Sequence, residues 1–386
     1  MRKILVRGTI ANKPFSGGQS LIPLQYIAGL KRLGFDVLLF EDLSAEECWS
    51  ERQNPCSFKE SVQYDYFVRI MTAFSLAGHS SLLYDHGQDH WGASLEEVRR
   101  FARDADALIV IGGGLPPFPD ILSAVKKRIY IDQDPVYTQL WSAVYHVDVG
   151  FSAADVLFTV GLNIGSEICP IPTCGRNWHK IMPVIDLKFW PFVGTVAPAE
   201  KITTVASWRG FAPLEYQGEW YEQKSVEFKR FLRLPSKIKR PVEVALSIDE
   251  KEEDLELLRT HGWRLVDPRI HTADPCSYRA YIVHSRAELG IFANAYVKSC
   301  SGWLSDRSAA YLASGKPVLV QDTGLANHLP LGTGLIPFTT EDELIAAIDD
   351  LDARYDEHCL AARRLAEEYF CAEKVLRKLL AQADLA

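Results

Sequence analysis

Apolar runs of strand length alternate with amphipathic segments of helix length along the first half of the chain. Strands are predicted at KILVRG, VLLFED, SLLYD, ALIVIGGG and RIYIDQDP, and helices at residues 20–33, 58–77 and 94–104. This alternation predicts parallel strands covered by helices. We therefore expect one open α/β sheet in a first domain of residues 1–185.

Proline, glycine and aromatic residues replace the alternation between about residues 169 and 201, which predicts a crossing between domains. The alternation then restarts, with strands at ITTVASW, PVEVALSI, WRLVDP, AELGIFA and PVLVQD and helices at residues 223–232, 250–261, 278–284 and 305–314. A second Rossmann-like, doubly wound α/β domain is expected over residues 186–370. The closing helix, in residues 371–386, is expected to return to the first domain.

The composition is that of an ordinary globular protein. Of the 386 residues, 47% are hydrophobic and 24% charged, which suits two hydrophobic cores. A formal net charge of -8 argues against nucleic acid as a partner, because such binding needs clustered Lys and Arg. No apolar run reaches the length of a membrane span, and the start reads as a strand rather than a signal sequence, so we expect a cytoplasmic protein.

The eight cysteines form no C-x-x-C pair. Cys169, Cys174 and His179 come closest to the spacing of a zinc site, but no second pair of ligands matches them. A structural loop fits these residues better, and no metal site is expected.

Ligands of open parallel sheets bind where the strands end, because loops and helix N-termini expose backbone N–H groups there. The turn after the first strand contains Gly17 and Gly18, which allow either close approach to a ligand or a plain tight turn. Residues 112–114 are a triple glycine that lacks the spacing of a dinucleotide-binding loop. Since Pro116 and Pro117 stand where its helix would begin, NAD and FAD are not expected.

Two acidic residues stand at the end of the fifth strand. Asp132 and Asp134 are candidates for a base that removes a proton from a hydroxyl group. The alternative for Asp134 is a helix cap ahead of Pro135.

Polar and cationic residues follow the first strand of the second half. Ser207 and Arg209 come directly after that strand, and Lys224 begins the next helix. An Arg and a Lys that reach one cleft suit a diphosphate, which the guanidinium binds with two hydrogen bonds and the ammonium as a point charge. The alternative is a pair of solvent-exposed side chains.

A helix of small residues and the polar loop that follows it give the strongest signal for a ligand site. Ser305 or Asp306 can cap the helix, whose free N–H groups then point at a ligand. Arg307 in the first turn opposes the usual dipole preference unless an anion lies beside it, and Ser308 adds a hydroxyl. The next strand ends in a polar loop with Asp322. The alternative is an ordinary capped helix.

Three motifs resemble those of a group of bacterial proteins related to GT-B-fold glycosyltransferases. They are D-x-D-P at residues 132–135, N-I-G-x(5)-I-P-x-C-G at residues 163–175 and W-x-S-D-R-S-x-x-Y-L-A-S-G at residues 303–315. The resemblance covers most of the chain, and the third motif is the most specific. It implies two Rossmann-like domains facing a cleft, with an acceptor on the first and a nucleotide sugar on the second.

The resemblance also implies roles for single residues. Arg209 and Lys224 would hold the diphosphate of a UDP-, GDP- or dTDP-sugar, residues 305–308 would supply hydrogen-bond donors, and the nucleotide base would lie against Val266 and Pro268. No metal or further cofactor would be required.

The chain lacks the two glutamates, spaced as E-x(7)-E, that retaining enzymes of this fold usually carry. Gly302 and Ala310 stand at those positions, and Gln19 stands in the region where many inverting relatives have a histidine. We therefore expect an inverting, metal-independent glycosyltransferase in which Asp132 or Asp134 activates a hydroxyl of a small molecule or a polymer. The alternatives are a nucleotide-sugar epimerase of the same fold and a protein that binds nucleotide sugars without catalysis.

Overall fold

A computed structural model describes residues 2–194 and 200–385, so residues 195–199 of the predicted crossing lie outside the described residues. The strands of the first sheet are β1 (Lys3–Arg7), β2 (Asp36–Leu43), β3 (Ser80–Tyr84), β4 (Asp89–Gly92), β5 (Ala107–Ile111), β6 (Arg128–Asp132), β7 (Val156–Thr159) and β8 (Trp178–Lys180). Their order is β4-β3-β2-β1-β5-β6-β7-β8. Neighbouring strands are parallel except β3 and β4.

The antiparallel edge strand β4 departs from the parallel pattern predicted for this half. Residues 85–88 alone connect it to β3, whereas parallel neighbours need a crossover of about a dozen residues. The short turn therefore dictates the antiparallel pairing.

The second sheet is parallel throughout and follows a separate hairpin. The hairpin strands are β10 (Leu214–Tyr216) and β11 (Glu219–Tyr221), and the sheet strands are β9 (Ile202–Ser207), β12 (Val242–Ser247), β13 (Arg264–Val266), β14 (Ala287–Gly290), β15 (Val318–Gln321) and β16 (Leu335–Phe338). The sheet order β13-β12-β9-β14-β15-β16 reverses direction beside its first strand, as Rossmann-like sheets do. The first sheet reverses in the same way, between β1 and β5.

Helices cover both faces of the two sheets. They are α1 (Gly17–Arg32), α2 (Val62–Ala73), α3 (Leu95–Asp104), α4 (Pro119–Ala124), α5 (Tyr137–Ala143), α6 (Lys224–Arg230), α7 (Leu234–Lys237), α8 (Glu253–Thr260), α9 (Pro268–His271), α10 (Pro275–Val283), α11 (Asn294–Lys298), α12 (Asp306–Ala313), α13 (Glu341–Ala353), α14 (Tyr355–Leu365) and α15 (Ala372–Gln382). Central strands such as β5 and β15 are buried at every position, as expected for strands covered on both faces.

Capping residues explain where helices begin differently from the sequence prediction. The helix predicted at residues 58–77 is the shorter α2, because the Ser61 hydroxyl accepts a hydrogen bond from the backbone N–H of Tyr64 and caps it there. The helix predicted from residue 278 begins at Pro275, since the Asp274 carboxylate accepts from two N–H groups of its first turn.

The last helix, α15, packs along α1 of the first sheet. Gly29 permits this approach, because a Cβ atom there would lie 2.5 Å from a methyl group of Leu376. The backbone of Ile185 bonds to the segment that leads into α15, donating to Phe370 O at 2.8 Å and accepting from Ala372 N at 2.9 Å. Among the described residues, no helix has the length and hydropathy required to cross a membrane.

Candidate functional site

A cavity of about 540 Å³ lies between the two sheets and is lined from both. From the first half, residues 14–19 after β1 and residues 134 and 137 after β6 line it. From the second half, the segments after β9, β12, β13 and β14 and the start of α12 line it. The cavity therefore lies at the carboxyl ends of the strands of both sheets, where ligands of such folds bind.

Gly17 and Gly18 line the cavity and also bring the two halves together. The N–H of Gly17 donates to Thr272 O at 2.9 Å. A Cβ atom at Gly17 would lie 2.2 Å from the carbonyl oxygen of Asp274, and one at Gly18 would lie 2.9 Å from the ring of Tyr278. Contact between the halves thus requires a glycine at both positions, independently of any role of these residues in binding a ligand.

Asn163, from the second sequence motif, joins the halves at another point. It is buried, and its Nδ2 donates to Cys300 O at 2.8 Å and to Gly324 O at 2.9 Å. Its Oδ1 lies 2.7 Å from Nε2 of His328. A Cβ atom at Gly302 would lie 3.0 Å from the Asn163 side chain, so this position of the absent glutamate pair is a packing position in this chain.

Asp132 is fully buried and does not line the cavity. Its Oδ1 accepts from the backbone N–H of Asp134 at 3.1 Å and from Thr138 Oγ1 at 2.9 Å. Its Oδ2 accepts from Gln139 Nε2 at 2.8 Å and from Thr159 Oγ1 at 2.7 Å. Burial raises the pKa of Asp132 and these hydrogen bonds oppose the rise. The carboxyl group of Asp132 holds the turn after β6 and does not line the cavity. The structure therefore does not place Asp132 where the sequence analysis expected a base.

Asp134 lines the cavity, and its carboxyl group makes no hydrogen bond to any described residue. Burial, with the charges of Asp132 and Asp306, raises the pKa of Asp134 to about 7. Val136, two residues on, has φ 77° and ψ -58°, a strained conformation for a β-branched residue. This turn places Asp134 in the cavity wall ahead of α5.

Asp306 brings a second carboxyl group to the cavity from the opposite half. Burial raises the pKa of Asp306 to about 6, and its own backbone N–H and Arg307 oppose the rise. Ser305 caps α12, its hydroxyl accepting from Arg307 N at 3.2 Å. The start of α12 therefore faces the cavity as a capped N-terminus with an acidic first residue.

Arg307 lines the cavity, but its charge is compensated within the protein. Its Nε donates to Glu288 Oε1 at 2.5 Å and its Nη1 to Val205 O at 2.6 Å. Nη2 is buried without a partner among the described residues. The anion expected beside Arg307 is thus Glu288. A lone acidic residue within the apolar run of β14 was the sequence feature that could have predicted this ion pair.

The two cations expected to share a diphosphate lie in different settings. Lys224 lines the cavity and makes no hydrogen bond or ion pair to any described residue, and burial followed by the charge of Arg307 lowers its pKa to about 7. Arg209 lies outside the cavity and is half exposed. Its guanidinium donates to Glu252 at 2.7 and 3.0 Å and to Gln223 Oε1 at 3.0 Å. Lys224 is available to a ligand, whereas Arg209 is already paired.

The remaining candidates divide in the same way. Ser207 and Pro268 line the cavity. Ser308 is fully buried, and Val266 lines a different, smaller depression. Exposed Asp322 accepts from Gly324 N at 2.8 Å and shapes its own turn.

Several lining residues were missed by the sequence reasoning. Arg269, whose side chain makes no hydrogen bond or ion pair to the described residues, follows Pro268 at the wall of the cavity. Aromatic side chains also line it, among them Tyr137, Phe211 and Trp303. No group of three or more His, Cys, Asp or Glu in the described parts of the chain is arranged to hold a metal ion.

Comparison with known proteins identifies the fold. No family model and no curated protein matches the chain. Solved structures do: an alpha-glucosyltransferase in complex with UDP matches with a TM-score of 0.60 at 11% identity, over all of both chains. HepE from Anabaena, in complex with UDP and glucose, matches with a TM-score of 0.59 at 12% identity, also over all of both chains.

A third similar solved structure is named as an epimerase rather than a transferase. A putative UDP-N-acetylglucosamine 2-epimerase from Listeria monocytogenes matches with a TM-score of 0.50 at 12% identity, over 99% of this chain and 95% of that one. At such identities the likeness concerns the fold. The chain has the GT-B fold, in which two Rossmann-like domains face a cleft.

Proposed function

We propose that this protein transfers a sugar from a nucleoside diphosphate to a hydroxyl group of an acceptor. The observation that carries the proposal is the meeting of two uncommitted groups in one cavity between the sheets. Lys224, a cation without a partner among the described residues, lines the same cavity as Asp134, a carboxyl group without a hydrogen bond to them. Such a pair suits a reaction that needs a bound diphosphate and a base.

The donor is proposed to lie against the second half of the chain. Lys224 and Arg269 supply positive charge, and the N-terminus of α12 at Ser305 supplies backbone N–H groups. Pro268 offers a surface to the nucleotide base. UDP is the first nucleotide to test, because two structures of similar fold were solved with UDP.

Asp134 is proposed as the base of a single inverting displacement. The acceptor oxygen forms a bond to the anomeric carbon while Asp134 takes the hydroxyl proton. The bond from that carbon to the diphosphate oxygen breaks, and its electron pair leaves with the diphosphate, whose charge Lys224 and Arg269 stabilise. Asp132 is a positioning residue that fixes the turn carrying Asp134.

Calorimetric titration with UDP, followed by a transfer assay with UDP-glucose, tests the proposal. Binding of UDP in the micromolar range is expected, and EDTA should not change it if the two cations and the helix terminus balance the charge of the diphosphate. A protein that binds neither UDP nor GDP or dTDP would refute the proposal.

An epimerase is a second candidate, favoured by the two carboxyl groups that face one cavity from opposite halves, Asp134 and Asp306. An epimerase needs acid and base groups around the sugar itself. Incubation with the nucleotide sugar alone separates the two functions, because only an epimerase converts the donor without an acceptor.

A further inference from the structure

A group of mutually contacting aromatic rings forms part of the cavity wall. We call Tyr137, Phe211, Tyr296 and Trp303, all of which line it, the aromatic surface. The ring centroids of Tyr137 and Phe211 are 4.7 Å apart, and Tyr296 and Trp303 stack at 4.1 Å with an angle of 15° between their planes. Phe211 is 36% exposed and Trp303 is partly exposed, whereas Tyr137 and Tyr296 are buried beneath them, so Phe211 and Trp303 are the part of this surface open to a ligand.

The aromatic surface is assembled across the cleft. Phe211 belongs to the second half and precedes the β10–β11 hairpin, yet it packs against Tyr137 and Trp141 of α5 in the first half. The N–H of Glu215 in β10 donates to the hydroxyl of Tyr145 at 3.3 Å. These contacts hold Phe211 beside the turn that carries Asp134, at the side of the cavity belonging to the first half.

Carboxyl groups predominate among the charges near the aromatic surface, and one cation, Lys13, lies close enough to Asp134 to lower its pKa. Asp134 and Asp306 line the same cavity, and Glu222 lies close enough to Tyr137 to raise the pKa of its hydroxyl, after burial and Asp134. The cations Lys224 and Arg269 are those assigned to the diphosphate. An acceptor with phosphate groups of its own would meet carboxylates here, which is unfavourable in a cavity of low dielectric constant.

We propose that the acceptor is a neutral carbohydrate whose ring lies against the aromatic surface, with one hydroxyl directed to Asp134. A pyranose ring has C–H groups on its faces and hydroxyls at its edge, which matches aromatic side chains beside an uncommitted carboxyl group. This inference rests on the proposed function and specifies its acceptor. It excludes nucleic acid and phosphorylated sugars from the acceptor position.

Saturation-transfer NMR on the UDP-saturated protein tests the inference. The probes are the neutral sugars maltose, cellobiose, lactose and mannobiose, with glucose 6-phosphate and a short single-stranded DNA as charged counterparts. At least one neutral sugar should receive saturation at its ring C–H protons, and neither charged probe should compete with it. Failure of all four neutral sugars, or tighter binding of a charged probe, would overturn the inference.

Variants of Phe211 locate the binding. Phe211→Ala should weaken binding of the neutral sugar by about 3- to 10-fold, the value of one aromatic contact, while Phe211→Tyr should preserve it. Trp220→Ala is the matched control, because Trp220 is a 50% exposed aromatic residue of the hairpin that follows Phe211 and does not line the cavity. Equal sugar affinities in Phe211→Ala and Trp220→Ala would contradict the inference.

The affinity for UDP separates this inference from the function on which it rests. UDP should bind these variants as it binds the unmodified protein. If the unmodified protein binds none of UDP, GDP and dTDP, the proposed function fails. If it binds one of these nucleotides and no neutral sugar, only the acceptor assignment fails.

Discussion

Arg307 and Glu288 form an ion pair at 2.5 Å beneath the donor side of the cavity, and Glu288 is fully buried. The guanidinium of Arg307, which the sequence suggests as an anion ligand, is thus neutralised by Glu288 of β14. A bound diphosphate must draw its countercharge chiefly from Lys224 and Arg269. The pair also fixes the start of α12 against β14, so its removal should lower the free energy of unfolding.

Removal of one partner of this pair should destabilise the fold. Glu288→Ala leaves the Arg307 charge buried without compensation, and we expect a loss of about 3–5 kcal/mol in the free energy of unfolding, measured by urea titration. Glu219→Ala removes a carboxylate from an exposed pair with Lys298 and should have little effect on stability, because solvent screens exposed ion pairs. If Glu288→Ala lost as little free energy of unfolding as Glu219→Ala, the fold would not depend on the buried pair.

Lys224→Ala should weaken UDP binding. The ammonium is expected to make a charge-assisted contact with the diphosphate, so its removal should raise the Kd by about 10- to 100-fold in calorimetry. Arg209→Ala is the control, since Arg209 is a neighbouring cation outside the cavity that is paired with Glu252. A larger effect of Arg209→Ala would restore the role that the sequence resemblance assigns to it.

Asp134→Asn should slow transfer strongly and stabilise the protein at alkaline pH. Loss of the base should lower kcat by about 10²- to 10⁴-fold with little change in UDP affinity. Because the pKa of about 7 in the folded state lies above the ordinary value of 3.8, the folded state binds more protons between these values and its stability falls as the pH rises. The neutral Asn removes this loss, so the Tm of Asp134→Asn should exceed that of the unmodified protein at pH 8. A lower Tm there would contradict the assignment.

The pH profile of kcat/KM should be a narrow bell. Activity rises as Asp134 ionises, with a pKa of about 7, and falls as Lys224 loses its proton, also with a pKa of about 7. Lys224→Arg keeps its charge at alkaline pH and should remove the falling limb. A profile of Lys224→Arg that still falls in the same range would assign that limb to another group.

Much of the fold could be predicted from the alternation of strands and helices, because the strands of a parallel sheet covered on both faces consist of continuous apolar runs. The β10–β11 hairpin left no such signal. Its strands have three residues each, and Phe211 is placed by packing against α5 rather than by a local pattern. The aromatic surface was therefore not predictable from the sequence.

The site was predicted only in part, for a related reason. Sequence position shows which residues follow a strand, and Asp134, Lys224 and Asp306, chosen in this way, line one cavity. It does not show which of them are already bonded. Asp132 and Arg209 follow strands as well, but Asp132 is bonded to Thr159 and to its own following turn, and Arg209 is paired with the distant Glu252.

The packing of α15 on α1 affects the order in which the chain can fold during synthesis. Leu376 and Leu379 of α15 are buried, and the apolar side of α1 that receives them belongs to residues made more than 300 positions earlier. The first sheet can form early, but α1 stays partly uncovered until the ribosome has released residues 372–382. Over that interval the nascent chain exposes apolar residues of α1 that the folded protein buries.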